Sequence, residues 1–206
     1  MSTLTAMSRR SLLALTPAAL LALSLRPAWA ATPIGKAVTV NGLADLRRGA
    51  TVDVLMPDTE IMIDDEVITR TDGSAQLLLT PDTVINLGAG ARLLVDAFIA
   101  NQGGTLTLGS GALVFDRPEG APPEDTIIKT AFAMIGVRGT KFFAGPSKDV
   151  FGVFVERGSV RVLAAGVARV LHDGDGVDIA APGSPPSEIK KWGAPRIAAA
   201  YASVGL

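Results

Sequence analysis

The chain has 206 residues, 48% of them hydrophobic and 19% charged, with a formal net charge of −1. That length suits one domain, the apolar fraction can build a core, and the charge balance argues against general nucleic-acid binding. The absence of cysteine excludes disulfides, thiol nucleophiles, zinc-thiolate centres and a lipidated cysteine. The single histidine, His172, excludes a histidine relay or a multi-histidine metal site built from this chain alone.

The first predicted element is an export signal over residues 1–30. Arg9-Arg10 opens it, an apolar run from Leu12 to Leu25 follows, and Ala28-Trp29-Ala30 closes it. This is the basic, apolar and A-x-A order of a cleavable signal peptide. The arginine pair after Ser8 suggests the twin-arginine route, with the general secretory route as the alternative. Leu12 and Ala14 depart from that signal's usual Phe and Lys. The apolar run is short for a membrane anchor. Cleavage after Ala30 removes three arginines and no acid, leaving 16 basic and 20 acidic residues, net −4. The expected location is periplasmic or secreted, with no transmembrane helix after cleavage.

The segment 31–180 reads as short strands separated by turns. Val38 to Val40 runs into the tight-turn pair Asn41-Gly42. Strands follow at Thr51–Val54, Glu60–Ile63, Val67–Arg70, Ala75–Leu79, Thr83–Leu87 and Arg92–Val95, with Gly, Asp or Pro between them. Asp64-Asp65-Glu66 is expected to be a solvated turn. Thr105 to Leu108 alternates strictly, and Ala112 to Phe115 is another strand. Residues 116–125 are a Pro-, Gly- and acid-rich loop. Thr126–Thr130, Ala133–Val137, Val150–Val155, Ser159–Leu163 and Val167–Leu171 complete the series. Turn signals every eight to twelve residues are an all-β signature. A sandwich, a barrel and a short irregular β-solenoid all suit it. Residues 181–206 are a Pro-rich linker and a short helical tail, interrupted at Pro195 and packed on the β-domain through Trp192 and Tyr201.

Several stretches together resemble the FecR domain family. They are 34-IGKAVTVNGLADLRRGATVDVLMPDTEI-61, 64-DDEVITRTDGSAQLLLTPDTVINLGAGARLLVDAF-98, 130-TAFAMIGVRGTKFFAG-145 and 154-FVERGSVRV-162. Thr69, Asp72-Gly73-Ser74, Leu77, Leu79, Pro81-Asp82-Thr83 and Leu87 occupy matching places. Asp82 runs directly into Thr83 without the usual Gly, Ala91 replaces a usual Ser, and Ala131 replaces a usual Pro. The resemblance covers about residues 34–179. It implies a β-rich extracytoplasmic domain like that of siderophore-signalling regulators. The anti-sigma helices, the membrane helix and a C-terminal receptor-contacting domain are not expected here, so iron-siderophore signalling is not carried over.

The candidate site residues come from these motifs: Asp72, Gly73, Ser74, Gly136, Arg138, Gly139, Thr140, Glu156 and Gly158. Arg138 stands between two glycines inside the apolar run 134-MIGVRGTKFF-143. The favoured reading is an internal peg, paired with Asp72, Glu156 or Asp96, because an unpaired buried charge is costly. The competing reading is an anion or ligand site built from Arg138, Gly139 and Thr140. The segment 173-DGDGVD-178 fails the calcium-loop pattern and reads as a turn. His172 beside Asp173 lacks a G-x-S-x-G partner. Phe142, Phe143, Phe151 and Phe154 read as core.

The expected function is a non-enzymatic binding, sensing or adaptor module of the cell envelope, needing no cofactor or metal. The partner would be an envelope protein or a glycan, engaged at a free strand edge. Two alternatives are a carbohydrate-acting enzyme using paired carboxylates and a purely structural envelope component.

Overall fold

The computed structural model describes residues 32–79, 81–100, 102–121 and 125–206. The export signal read over residues 1–30 lies outside them. In chain order the strands are β1 (Gly35–Asn41), β2 (Ala44–Arg48), β3 (Thr51–Val54), β4 (Glu60–Ile61), β5 (Asp65–Thr69), β6 (Ser74–Leu79), β7 (Thr83–Leu87), β8 (Arg92–Ile99) and β9 (Gly103–Ser110). They continue with β10 (Leu113–Asp116), β11 (Asp125–Thr130), β12 (Met134–Arg138), β13 (Lys141–Ser147), β14 (Val150–Arg157), β15 (Ser159–Ala164), β16 (Val167–His172), β17 (Asp175–Ile179) and β18 (Lys190–Lys191). One helix, α1 (Ala194–Ala202), closes the chain.

The strands form two nine-stranded sheets that do not close into a barrel. Sheet A has the order β18-β17-β14-β13-β10-β7-β6-β1-β4, and sheet B the order β16-β15-β12-β11-β9-β8-β5-β2-β3. The chain crosses between the sheets every one or two strands. Both sheets therefore grow in step from the N-terminal to the C-terminal edge, and the all-β reading resolves as a sandwich wound like a ladder. Pairing is antiparallel except for β9 with β11, between which the chain visits sheet A as β10.

Alternation in the sequence explains most strands. β6 and β15 send every second side chain inward, and Leu77, Leu79, Val160 and Val162 join the inter-sheet core. Several strands depart from it, β13 and β14 most of all. β13 and β14 are buried on consecutive residues, over Phe142–Gly145 and Phe151–Val155, because both of their faces are covered. Phe142, Phe151, Val153 and Val155 face the core between the sheets. Phe143 and Phe154 face outward, into a second cluster with Val114, Trp192, Ala200 and Val204. Each such large apolar side chain contributes about 1.5–3 kcal/mol when fully buried.

That second cluster is the C-terminal tail lying on sheet A. A Cβ on Gly152 would come within 2.7 Å of the Trp192 ring, and one on Gly176 would overlap Trp192 Nε1. Only glycine at both positions lets the indole lie flat on the sheet, where it stacks on Phe154 at 5.2 Å. Arg196 covers the indole's other face at 3.6 Å and ion-pairs with Asp178 at 2.6 Å. Pro195 does not interrupt α1. It sits in the first turn, where a missing N–H breaks no helical hydrogen bond.

The turns at the two ends of the sandwich hold the ladder in register. Asn41-Gly42 and Asp72-Gly73 stack on one another: a Cβ on Gly42, at φ +64°, would come within 2.5 Å of the Asp72 carbonyl. Thr69 is buried and its hydroxyl donates to Gly88 O at 2.6 Å while accepting from Ala91 N–H at 2.8 Å. Thr130 similarly accepts from Phe132 and Ala133 N–H at 3.0 and 2.8 Å. Asp64-Asp65-Glu66 is not a solvated turn. Only Asp64 is exposed; Asp65 opens β5 fully buried and takes a two-pronged contact from Arg48 at 2.8 and 2.7 Å plus Met62 N–H at 2.8 Å. Burying a carboxylate is tolerable because all of these donors converge on it.

Candidate binding surface

The motif residues do not converge on one site. Asp72, Gly73 and Ser74 lie at the end of the sandwich that also holds Asn41, whose amide donates to Ser74 Oγ at 3.4 Å. Glu156 lies on the outer face of sheet A beside the tail, where it pairs with Lys141 at 3.2 Å. Gly158 turns the chain from β14 to β15, and its N–H donates to Asp173 at 2.7 Å. Thr140 is fully buried at the β12–β13 crossing, so it cannot join Arg138 in a surface anion site.

Arg138 itself is a correction. It is exposed on the outer face of sheet B and, among the described residues, makes no ion pair. Its expected partners are engaged elsewhere or distant: Asp96 accepts from Thr107 at 2.7 Å, Glu156 pairs with Lys141, and Asp72 is exposed in the Asp72-Gly73 turn. Strand alternation is the reason. Ile135 and Val137 take the inward positions of β12, which sends Met134, Gly136 and Arg138 outward. The buried arginine is Arg117, 1% exposed, directly after β10. Its Nη1 donates to Thr83 Oγ1 at 3.0 Å, its N–H donates to Thr140 O at 3.1 Å, and its carbonyl accepts from Arg157 at 2.6 Å. Sequence reasoning passed over it because it stands in a Pro- and Gly-rich stretch.

The outer face of sheet B has two unlike halves. In the N-terminal half the cations of this face are all ion-paired, and Asp96 accepts from the Thr107 hydroxyl. Glu66 sits between Arg47 at 2.7 Å and Arg92 at 2.8 Å, and Arg70 pairs with Asp45. In the C-terminal half the strand register sets Lys129 opposite Met134 and Met134 opposite Leu163. The next row sets Ile127 opposite Gly136, Gly136 opposite Arg161, and Arg161 opposite Val170. Met134, Leu163 and Val170 are exposed at 43%, 37% and 46%. Lys129, Arg138 and Arg161 are exposed and, among the described residues, in no ion pair, with Asp125 the acid across from Arg138.

Gly136 makes a pit in this surface. The open pit has a volume of about 270 Å³ between Asp125, Ile127, Arg138, Ser159, Arg161 and Val170. Unlike Gly152 and Gly176, Gly136 is not required by packing: the nearest atom to a Cβ there would be Arg161 O at 3.9 Å, an ordinary contact. The sequence reading singled out Gly136 and Arg138 but not Arg161, Met134 or Val170. Only the pairing of β12 with β15 and of β15 with β16 brings these together.

The acidic turn after β16 is a structural latch. Asp175 accepts His172 N–H at 3.0 Å and pairs with Lys191 at 2.9 Å. The Lys191 ammonium first, and the His172 amide second, hold its carboxyl below the usual carboxylate range. Asp173 and Asp178 are bonded to Gly158 and Arg196. Among the described residues no group of three acidic or histidine side chains could hold a metal ion.

This fold, a two-sheet ladder with a motif-bearing centre, defines an all-β domain. Residues 65–161 match the family model described as FecR protein, from the first residue of β5 to Arg161 beside the pit. Residues 65–161, 97 of the 206, thus match a FecR domain. Two crystal structures of a proposed anti-sigma factor from Parabacteroides distasonis share the fold. The first has a TM-score of 0.55 at 18% identity, covering 65% of this chain and 63% of that one. The second has a TM-score of 0.53 at 19% identity, covering 65% and 62%. The chain thus spans less than two thirds of the length of each. No curated protein matches it.

Proposed function

We propose that this protein is an exported sensing or adaptor module of the cell envelope that acts by binding another protein, without catalysis, through the C-terminal half of the outer face of sheet B. The observation that carries the reading is the difference in charge pairing within that face: among the described residues Lys129, Arg138 and Arg161 have no ion-pair partner and stand among exposed apolar side chains, whereas Arg47, Arg70 and Arg92 in the other half, beside the exposed Val52 and Val54, are all ion-paired. Exposed apolar groups clustered among polar ones are a mark of interaction surfaces. The FecR domain supports a regulatory or sensing role. The basic, apolar and A-x-A order of residues 1–30 supports export. Among the described residues no helix is long and apolar enough to cross a membrane.

Carbohydrate-acting catalysis finds less support. Among the described residues no aromatic ring is exposed to stack on a sugar, and the acids nearest the tail are held by Lys141, Arg157 and Arg196.

A photo-crosslinking residue at Met134, compared in living cells with one at Asp72, tests the reading. The expected result is one dominant envelope protein captured from position 134, not from position 72, and lost in the Arg161→Glu variant. Capture that ignores Arg161→Glu, or none from position 134 with the protein folded and exported, removes the reading.

A further inference from the structure

We propose that the Gly136 pit receives a carboxylate side chain from an extended acidic segment of a protein partner, held between Arg138 and Arg161. This deepens the binding reading above and rests on it.

Three features of the molecule carry the assignment. The first is the pit's origin. A solvent-facing position in the middle of a strand ordinarily carries a side chain, and glycine there weakens the strand. Nothing in the packing requires glycine at position 136, so the missing side chain serves the open space it leaves. The molecule itself shows how such a space is used: on sheet A, glycines 152 and 176 make the floor on which Trp192 lies, with Arg196 against it.

The second is charge. Arg161 lies directly across from Gly136 and Arg138 two residues along from it, which makes the two arginines a diagonal pair about 7–8 Å apart at their first side-chain atoms. Two guanidiniums at that spacing can close on one carboxylate from both sides, each offering a charge-assisted hydrogen bond. Neither has an ion-pair partner of its own among the described residues; Lys129 adds a third positive charge on the same face, against one acid, Asp125, at the edge of the pit opposite Arg138.

The third is the surrounding relief. Ile127 and Val170 wall the pit in one row, and Met134 and Leu163 occupy the next. An extended segment places alternate side chains on one side. For a segment running along the strands, a carboxylate in the pit thus lies between Ile127 and Val170 and sets an apolar residue two positions away over Met134 and Leu163. The occupant is an acidic-apolar alternating strand, not a uniformly charged polymer.

The test uses the full-length protein, ¹⁵N-labelled, and a blocked peptide of alternating leucine and glutamate. Its counterpart carries glutamine at every glutamate. The expected result is that the glutamate peptide shifts the amides of Gly136, Arg138 and Arg161. The glutamine peptide should bind at least about tenfold more weakly, and Arg138→Ala and Arg161→Ala should each weaken binding about tenfold. Gly136→Val, which fills the pit, should do the same while melting within about 2 °C of the parent. Equal binding of both peptides, or shifts centred away from Gly136, overturns the assignment. Polygalacturonate shifting the same amides where the peptide does not overturns the peptide class. If neither peptide binds while position 134 still captures one partner in cells, the acidic-segment assignment falls and the binding surface stands. If the peptide binds as expected but no partner is captured, the pit's preference stands and the envelope-protein reading falls.

Discussion

On the outer face of sheet A, Gly152 and Gly176 form a floor on which Trp192 lies, and the tail behind it covers Val114, Phe143 and Phe154. On the outer face of sheet B, Gly136 forms a floor that no described residue of the chain covers, with exposed Met134, Leu163 and Val170 around it. The difference teaches how to separate glycines that serve the fold from one that serves a surface. At positions 152 and 176 a side chain would collide with the tail. At position 136 it would meet nothing closer than 3.9 Å.

The largest effect should come from breaking the covered face. Trp192→Ala uncovers the tail cluster and should cost about 3–5 kcal/mol, a fall of roughly 10 °C in Tm, read by thermal unfolding. Gly176→Val should approach the same loss by evicting the indole. Next comes Arg48→Ala, which leaves the buried Asp65 carboxylate without its main cation. A buried pair broken on one side costs about 3–5 kcal/mol. Arg48 is half-exposed, so solvent reduces the expected loss to about 2 kcal/mol. Urea unfolding at neutral pH measures it. Thr69→Val removes the hydroxyl that bonds both Gly88 O and Ala91 N–H and should cost about 1–2 kcal/mol.

A smaller effect depends on pH. Asp175 has a lowered pKa in the folded protein, so its contribution is present above the ordinary carboxylate pKa and is lost as pH falls through the depressed one. Asp175→Asn should leave a less steep loss of Tm between about pH 5 and pH 3 than the parent shows. An unchanged slope would mean that other carboxylates govern acid unfolding. The smallest effect on stability belongs to the open face: Arg138→Ala, Arg161→Ala and Gly136→Ala should each shift Tm by no more than about 2 °C. A large loss of Tm from any of them would erase the contrast between the two faces and make the open one structural.

Legibility in the sequence followed the range of the interactions. The alternating strands and the Asn41-Gly42 and Asp72-Gly73 turns were readable because strand period and turn geometry are local. The FecR-like motifs were readable too, and two of their polar residues prove to be turn pins: the Thr69 and Thr130 hydroxyls bond the backbone within or between neighbouring turns. Asp65 was misread because a buried carboxylate depends on Arg48, which is remote in sequence. Arg138 was misread because a glycine-flanked arginine in an apolar run looks buried until the strand's alternation is set against its neighbours.

The sequence alone determined an all-β chain of short strands, an apolar core and a tail that docks through Trp192 and Tyr201, since these follow from period, turn residues and the burial of large apolar groups. Only the tertiary structure decided that the strands form two sheets growing in step, that Arg117 rather than Arg138 lies inside, and that Gly136, Arg138 and Arg161 share one pit. The physical reason is that strand register joins residues far apart in the chain. A one-residue slip of register turns every side chain to the opposite face, and no local signal reports that choice.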